Sequence, residues 1–449
     1  MQTNARYNLY SDLTYRVFGN YRSIVYFCCM KHIHVNTGVR AFLFLSFAIV
    51  LLISACTSTT SSENAIKHGS WRVVLHAQGQ EIPFILEAAD SAGKQVLYLL
   101  NAEERILLND VTQQNDSVKI GLHIFDADLI AKADGDKMAG RFVKNDTPEP
   151  YSIPFTAEHG KKMRFSESPA AASYDYSGKW EVMFTDAEGA TTEAVGIFEQ
   201  KKNYVTGTFL TTTGDYRYLE GEVSGNNLKV STFDGNHAWL FTASAVSADS
   251  IQGEFISGLT GHETWKARRN EDAALANADS LTFLKEGYES LTFSFPDLEG
   301  KQVSLQDPKY KGKVVLVQLL GSWCPNCMDE TAFLAPYYKQ NHNKGLEIIG
   351  LGFERSPEFE KAAARLQKMK SRFDIQYDLL VAGIADKEAA SQALPALNRV
   401  MSFPTTIFID RQGKVRKIHT GFSGPGTGKY YEEWVADFNA TMQQLLAES

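Results

Sequence analysis

The sequence predicts a multidomain protein in which two antiparallel β modules, each a barrel or a sandwich, precede an α/β domain. Three observations predict this. Residues 69–268 contain short apolar runs separated by Gly, Asn and Asp, which is typical of antiparallel strands. Aromatic landmarks recur within that stretch at a nearly constant offset. From residue 287 onward, apolar strands alternate with helical patterns.

The predicted organisation has six segments along 449 residues, of which 44% are hydrophobic, enough for several packed cores. The segments are an upstream extension with a signal peptide (1–55), a polar tether (56–68), β module 1 (69–160), β module 2 (174–268), a partly helical linker (269–286) and the α/β domain (287–449).

The two β modules are predicted to be duplicates of one another. Three pairs of landmarks recur at offsets of 109, 108 and 113 residues: Trp71 and Trp180, residues 125–126 and 233–234, and residues 139–142 and 252–255. We expect both tryptophans to be core anchors rather than ligand contacts, because large aromatic side chains dominate core burial. A small barrel can also enclose a lipophilic ligand, and the sequence leaves that possibility open.

Charge and cysteine content exclude several classes of protein. The chain has 45 basic and 53 acidic residues, a net charge of -8, and no long basic run, so nucleic acid is not an expected partner. The five cysteines, at positions 28, 29, 56, 324 and 327, are too few and too unevenly placed for a fold stapled by disulfides.

The amino-terminal region resembles the signal of a bacterial lipoprotein. Residues 41–55 are uncharged and largely apolar, and they are too short for a membrane-spanning helix, which needs about 20 residues. Residues 53–55 and Cys56 are similar to a lipobox, which implies that Cys56 is lipidated and becomes the first mature residue. The alternative is an uncleaved membrane anchor. Either interpretation places the bulk of the chain outside the cytoplasm.

The signal peptide has a normal length only if it begins inside the printed sequence. Counted from Met30 it has 26 residues up to Ala55, whereas residues 1–29 have no place in such a peptide. We therefore expect the true start at Met30, in which case Cys28 and Cys29 are absent from the cellular protein.

The expected chemistry lies in Cys324 and Cys327. They follow a predicted strand at 314–320 and open a predicted helix, so both thiols lie on one helix face. We expect Cys324 to be exposed at the helix N-terminus, where free N–H groups and the helix dipole stabilise a thiolate. Cys327 is expected one turn deeper, where it releases a partner from the mixed disulfide. Such an exchange needs no cofactor.

Other uses of this cysteine pair fit the sequence less well. A zinc site needs about four ligands, and no second cysteine pair or closely spaced histidine pair follows, so no metal is predicted. A c-type haem site needs His where Met328 stands, and a peroxiredoxin would need Thr shortly before its cysteine. The loop at 424–429 lacks the spacing of a phosphate-binding loop. A structural disulfide remains open as an alternative.

Several motifs in the α/β domain together resemble the thioredoxin fold. The predicted order is β-α-β-α-β-β-α, with WCPNC at 323–327 and SFPTT at 402–406 before the third strand. Residues 296–301 (PDLEGK) and 311–317 (KGKVVLV) are similar to the TlpA/ResA group of extracytoplasmic thioredoxins. The resemblance covers about residues 287–449.

The resemblance implies roles for further residues. Pro404 would follow a cis peptide bond beside the active disulfide. Trp323, Pro325 and Phe403 would frame the substrate groove. Glu330 would tune the inner thiol or relay a proton for it, and the alternative is an exposed acid on the helix surface.

The sequence departs from the family pattern in three places. Gln318 stands where thioredoxin has a buried Asp, and an amide cannot exchange a proton. Pro336 lies later in its helix than the family places a proline. Residues 373–400 form an insertion with a predicted short helix at 385–394, which could carry partner selectivity.

These observations predict a lipid-anchored, extracytoplasmic thiol–disulfide oxidoreductase of a bacterial membrane. The resemblance implies that it reduces disulfides of periplasmic proteins, as in cytochrome c maturation, and receives electrons from a membrane donor. The alternative hypothesis is a surface lipoprotein that binds a ligand or partner through its β modules. In that case the last domain would be a docking unit without catalysis.

Overall fold

The computed structural model describes residues 66–448. The expectations for the start at Met30, the signal peptide, the lipidation of Cys56 and nearly all of the tether lie outside the described residues. Among residues 66–448, no helix is both long enough and apolar enough to cross a membrane.

Module 1 is a sheet of nine antiparallel strands in the order β4-β3-β2-β1-β9-β8-β7-β6-β5. Its strands are β1 (Gly69–Ala77), β2 (Gln80–Ser91), β3 (Lys94–Asn101), β4 (Glu104–Leu108), β5 (Val111–Gln114), β6 (Ser117–Gly121), β7 (Ala127–Asp134), β8 (Lys137–Lys144) and β9 (Tyr151–His159). Because side chains alternate across a strand, one face supplies the core, and β9 buries Ile153, Phe155 and Ala157 there. Strands β3 and β5 lie close together, so this sheet is a nearly closed barrel.

Module 2 also has nine strands, and eight of them close into a barrel because β11 pairs with both β10 and β12. Its strands are β10 (Gly178–Thr185), β11 (Thr191–Lys201), β12 (Tyr204–Thr211), β13 (Gly214–Asp215), β14 (Leu219–Ser224), β15 (Asn227–Phe233), β16 (Ala238–Ser247), β17 (Ser250–Ser257) and β18 (Gly261–Arg269). Aromatic side chains such as Phe184, Phe209 and Trp265 fill the barrel interior.

Both modules begin with the same tryptophan anchor. Trp71 in β1 and Trp180 in β10 are fully buried, which confirms the prediction that they are core residues. The indole N–H of each donates to the carbonyl oxygen four residues earlier, that of Lys67 at 2.8 Å and that of Tyr176 at 2.9 Å. The first strand of each module also pairs with its last strand. The shared anchor and pairing support a duplicated module.

A buried arginine joins the two modules. The guanidinium of Arg164 donates to the carbonyl oxygen of Leu100 at 2.7 Å and to Asn101 Oδ1 at 3.0 Å in module 1. It also donates to Glu220 in module 2 at 3.0 Å. A buried charge is tolerated where its donors are satisfied in this way, so the modules meet at a specific, hydrogen-bonded interface.

The carboxy-terminal domain contains a five-stranded sheet in the order β23-β22-β21-β24-β25, preceded by a small hairpin. The hairpin is β19 (Ser294–Pro296) and β20 (Gln302–Ser304), and the sheet strands are β21 (Val314–Leu320), β22 (Leu346–Glu354), β23 (Asp378–Ile384), β24 (Thr405–Ile409) and β25 (Val415–Thr420). The helices are α1 (Pro325–Asn341), α2 (Phe359–Phe373), α3 (Lys387–Ala393) and α4 (Lys429–Ala447). Every residue of β21 is buried, as expected for a central strand whose two faces are both covered. The predicted fold class is confirmed.

The insertion predicted at 373–400 contains a strand as well as a helix. Strand β23 runs parallel to β22 at the edge of the sheet, and α3 is shorter than the helix predicted at 385–394. The prediction missed this strand because its apolar run is confined to 379–382, too short for periodicity alone to identify. The pairing with β22 is what makes it a strand.

The Ser356–Pro357 pair predicts a helix that opens there, and Ala273 is predicted to lie in the helical part of the linker. Helix α2 begins at Phe359 instead of at Ser356, whose hydroxyl oxygen accepts the N–H of Glu358 at 3.3 Å in a turn before the helix. In the linker, helical structure is limited to one 3-10 turn at Ala278–Ser280. Ala273, expected in that helix, instead packs against residues of module 2.

Candidate active site

Cys324 lies at the junction between β21 and α1, where it serves as the N-cap of the helix. Its Sγ accepts the backbone N–H of Cys327 at 3.2 Å. Pro325 occupies the first helical position, where a proline loses no hydrogen bond and its fixed φ favours the helix. The sulfur is thus placed at the positive end of the helix dipole with one N–H directed at it, an arrangement that stabilises negative charge on sulfur.

The expectation that Cys324 is exposed is wrong, since only 6% of the residue is accessible. Its thiol donates to the carbonyl oxygen of Phe403 at 3.4 Å. A helix end alone would leave this thiol exposed, whereas in the folded chain the loop of Phe403 contacts it and module 2 contacts the neighbouring Trp323 and Pro325. Both Cys324 and Cys327 are free thiols.

Cys327 lies deeper and is fully buried, as predicted for a resolving thiol. Burial raises its pKa well above the ordinary value for a cysteine, and the hydrogen bond and charge of Cys324 act in the same direction. The two sulfurs therefore differ in the way that sequential exchange requires: one is held where charge is stabilised and the other is kept protonated.

Glu330 is fully buried, so the alternative of an exposed helix acid is wrong. Its carboxylate accepts hydrogen bonds from Gln318 Nε2 at 2.7 Å and from Thr406 Oγ1 at 2.6 Å. Burial raises the pKa of Glu330, and these two hydrogen bonds oppose the rise. Glu330 lies about one helical turn after Cys327 in α1, and its charge contributes to the raised pKa of that thiol.

Gln318, noted from the sequence as a departure, has a function in this arrangement that the sequence did not reveal. It is fully buried in the middle of β21, and its amide orients the carboxylate of Glu330. In this chain the buried titratable carboxyl group is therefore that of Glu330 on the helix, whereas the strand position, where thioredoxin has an Asp, holds the amide of Gln318.

The predicted groove residues lie together beside Cys324. The peptide bond between Phe403 and Pro404 is cis. The ring of Phe403 meets that of Trp323 edge-on, with centroids 5.9 Å apart, and the Trp323 indole N–H donates to the carbonyl oxygen of Phe353 at 2.9 Å. These contacts fix the Trp323 ring against the loop that precedes the cis peptide.

A buried acid that sequence reasoning missed supports the loop before Trp323. Glu354, at the end of β22, accepts the backbone N–H of Ser322 at 2.8 Å and its hydroxyl at 2.7 Å. Burial raises the pKa of Glu354. A glutamate that ends a largely apolar strand, which also contains Glu347, was the available signal, because acids are rarely buried without partners.

Three residues of module 2 contact the WCPNC loop, and sequence reasoning missed all of them. Asn236 Nδ2 donates to the carbonyl oxygen of Trp323 at 2.8 Å. Arg217 Nη1 donates to the carbonyl oxygen of Pro325 at 3.1 Å. Asp215 Oδ2 accepts from Asn326 Nδ2 at 3.0 Å, and it also accepts the N–H of Gly424, in the loop at 424–429, at 2.7 Å. No sequence motif predicts the contacts of these three residues.

Within residues 66–448, no group of three or more His, Cys, Asp or Glu side chains is arranged to hold a metal ion. The site instead contains two neighbouring thiols in unequal environments, a buried carboxyl group, and the aromatic rings of Trp323 and Phe403. Two such thiols can exchange with a disulfide: the disulfide becomes a dithiol, and the two cysteines become disulfide-bonded.

Comparison with known proteins agrees with this geometry. A family model described as Redoxin matches residues 285–433. The thioredoxin-like protein YneN of Bacillus subtilis is 30% identical over 138 residues, which span 31% of this chain and 73% of YneN. The thiol-disulfide oxidoreductase ResA of the same organism is 31% identical over 150 residues, which span 33% of this chain and 74% of ResA.

A solved structure is also similar, namely the thiol:disulfide interchange protein, thioredoxin family protein, of Chlorobium tepidum. It is 19% identical, with a TM-score of 0.28, and the match covers 36% of this chain and 99% of that one. The family assignment comes from the sequence relatives, which share about a third of this chain. Through that part, the chain belongs to the ResA/YneN family of thioredoxin-like thiol–disulfide oxidoreductases.

Proposed function

We propose that the chain reduces disulfide bonds of extracytoplasmic proteins while a lipid on Cys56 holds it at a bacterial membrane. The observation that carries the proposal is the environment of Cys324, whose Sγ accepts the N–H of Cys327 at the start of α1. The lipobox-like residues 53–56 support the anchor and the location. The relatives named thiol-disulfide oxidoreductase support the reaction class.

The reaction proceeds by two exchanges. The Cys324 thiolate attacks one sulfur of the substrate disulfide, so that a mixed disulfide forms and the other substrate sulfur leaves as a thiolate. Cys327 then loses its proton and attacks Cys324 Sγ, which releases the second substrate sulfur and leaves an internal disulfide. Two electrons pass to the substrate, whose two sulfurs end as thiols.

Glu330 assists the second exchange by accepting the proton of Cys327. The pKa of this thiol is raised by burial, so it does not ionise unaided near neutrality. The pKa of Glu330 is also raised, which makes the carboxylate a better proton acceptor than an exposed glutamate. Gln318 and Thr406 keep the carboxylate in one orientation for this transfer.

The internal disulfide must be reduced again for turnover. A second dithiol supplies two electrons by the same exchange in reverse, and the anchor at Cys56 favours a membrane protein as this donor.

The proposal is tested with the pre-reduced chain and oxidised insulin. Cys324→Ser should abolish reduction, and Cys327→Ser should accumulate a mixed disulfide between position 324 and the substrate, detected on a non-reducing gel and by mass spectrometry. Cys56→Ser is the matched control, which should release the chain from membranes and leave reduction unchanged. Full activity in Cys324→Ser, or the absence of any trapped species with Cys327→Ser, would contradict the proposal.

A further inference from the structure

Two segments of module 2 cover the redox face of the carboxy-terminal domain. We call these segments, residues 213–217 and 234–237, the cap. The first reaches the loop of the cis peptide, where the Ser402 hydroxyl donates to the carbonyl oxygen of Thr213 at 2.6 Å. Together with the bonds from Asn236 and Arg217 to the WCPNC loop, the cap holds both loops that border Cys324. A protein substrate would have to contact the same two loops.

The cap fits closely against the glycine-rich loop that follows β25. A Cβ atom at Gly426 would lie 3.0 Å from the backbone carbonyl carbon of Arg217, and one at Gly424 would lie 3.2 Å from Asp215 Oδ2. A side chain at either position would require its neighbour to shift by a few tenths of an ångström. The loop at 424–429, which lacks the spacing of a phosphate-binding loop, therefore has the residues needed to accept the cap.

Arg217 is the central side chain of the cap. It is buried, and its guanidinium contacts the carboxylate of Asp329 in α1 and that of Glu104 in module 1 as well as the carbonyl oxygen of Pro325. On the redox domain, Asp329 and this carbonyl oxygen thus form an acceptor site that a cation fills. If the cap leaves, a substrate must either fill that site or leave it without a partner.

We propose that the cap occupies the substrate-binding face of the redox domain and that the proteins which displace it carry an Arg or Lys close to their disulfide. That basic side chain takes the place of Arg217 against Asp329 and the Pro325 carbonyl oxygen. The inference rests on the proposed function, because it names the substrates of the same dithiol. An acidic residue at this point of a substrate meets Asp329 with like charge, so it is disfavoured.

The first experiment tests whether the cap covers Cys324. In the full-length chain, Gly426→Ala places a methyl group against Arg217, and we expect the alkylation of Cys324 by iodoacetamide to become several-fold faster. Gly428→Ala is the matched control, since its Cβ meets no atom within 4 Å although its φ of +58° strains the same loop. Equal rates in wild type and Gly426→Ala, or the same acceleration in both variants, would overturn the cap.

The second experiment tests the preference for a basic substrate. Disulfide-linked peptides of equal length, with Arg, Ala or Glu beside the cysteine, are reduced by the pre-reduced chain in single turnover. We expect the Arg peptide to react about tenfold faster than the Ala peptide, because only the Arg side chain offers Asp329 a charge-assisted hydrogen bond, and the Glu peptide to react slowest, because its charge repels Asp329. Asp329→Asn should abolish the preference, whereas Glu360→Gln, which changes an exposed acid of α2, should preserve it.

Hydroxyethyl disulfide, a small neutral substrate, separates this inference from the function itself. If wild type reduces it through Cys324 and yet reduces the three peptides at equal rates, the preference for a basic residue is wrong while the oxidoreductase function stands. If Cys324 reduces neither the small disulfide nor the peptides, the proposed function fails and the inference fails with it. A preference that persists in Asp329→Asn would also overturn the assignment.

Discussion

The side-chain amide of Gln318 donates a buried hydrogen bond to the carboxylate of Glu330, with a distance of 2.7 Å between Nε2 and Oε2. Both residues are fully buried, one on the central strand of the sheet and the other on the helix that begins at the cysteines. The strand therefore supplies a donor that positions the acid, and the helix supplies the acid about one turn after the inner thiol. This pair links the packing of the domain core to the chemistry of Cys327.

Replacement of Gln318 by Leu should destabilise the protein and change the acid. The buried carboxylate loses one of its two donors, so the free energy of unfolding should fall by about 1–3 kcal/mol. The pKa of Glu330 should rise further, because the hydrogen bond from Gln318 lowers it. Chemical denaturation measures the first effect. In a Glu330→Gln background the same substitution should have a smaller effect, and an equal loss in both backgrounds would show that the two side chains are not coupled.

Removal of the charge of Arg217 should open the junction between the domains. Arg217→Met leaves the buried carboxylates of Glu104 and Asp329 without their cation, and breaking such a pair costs about 3–5 kcal/mol. Denaturation midpoints and alkylation of Cys324 should both report the change. Arg105→Met is the control, since Arg105 pairs with Glu87 at the surface, where a pair contributes about 1 kcal/mol or less. A similar loss of stability in Arg217→Met and Arg105→Met would contradict the buried ion pairs of Arg217.

The stability of the protein should depend on pH through Asp329. Burial raises its pKa to about 7, opposed by Arg217. In the unfolded chain the pKa is about 4. The proton is therefore bound more tightly in the folded state, so the stabilisation is fully present below about pH 4 and is lost as pH rises through about 7. The charged and titratable groups around this carboxyl group are Arg217, Glu104, Asp215, Tyr218 and Tyr431.

Asp329→Asn should remove that part of the pH dependence. The difference in free energy of unfolding between wild type and Asp329→Asn should change steadily between pH 4 and pH 7, in the direction of a relatively weaker wild type at the higher pH. Urea denaturation at intervals across this range measures it, with Glu360→Gln, which changes an exposed acid of α2, as the comparison variant. A flat difference for Asp329→Asn would show that the carboxyl group has its ordinary pKa in the folded chain.

The two tryptophan anchors should contribute about equally to the stability of their modules. Trp71→Phe and Trp180→Phe each remove an indole hydrogen bond to a backbone carbonyl and leave a small cavity, so each should cost about 1–3 kcal/mol. Trp239→Phe, at a partly buried tryptophan that bonds a serine hydroxyl, should cost less. Thermal unfolding followed by circular dichroism compares the three. A large loss in one module and none in the other would argue against equivalent anchors.

The sequence by itself predicted the features that depend on local pattern. The continuous apolar run of β21 is buried along its whole length, and the peptide bond before Pro404 is cis, as the family motif implied. Cys324 caps a helix because Pro and polar residues follow a strand end, which is a short-range signal. The sequence also predicted a duplication, because paired landmarks keep their spacing when a module is copied.

The tertiary structure decided what depends on contacts between distant residues. The carbonyl oxygen of Trp323, beside Cys324, accepts a hydrogen bond from Asn236, 87 residues earlier in the chain, and no local periodicity records such a contact. Glu330 is buried because Gln318 and Thr406 satisfy its carboxylate, and β23 is a strand because β22 offers an edge to pair with. The periodicity of apolar residues determines which side chains face a core. The groups that pair with a buried charge, and the segments that pack over a surface, come from distant parts of the chain and are determined only when the whole chain has folded.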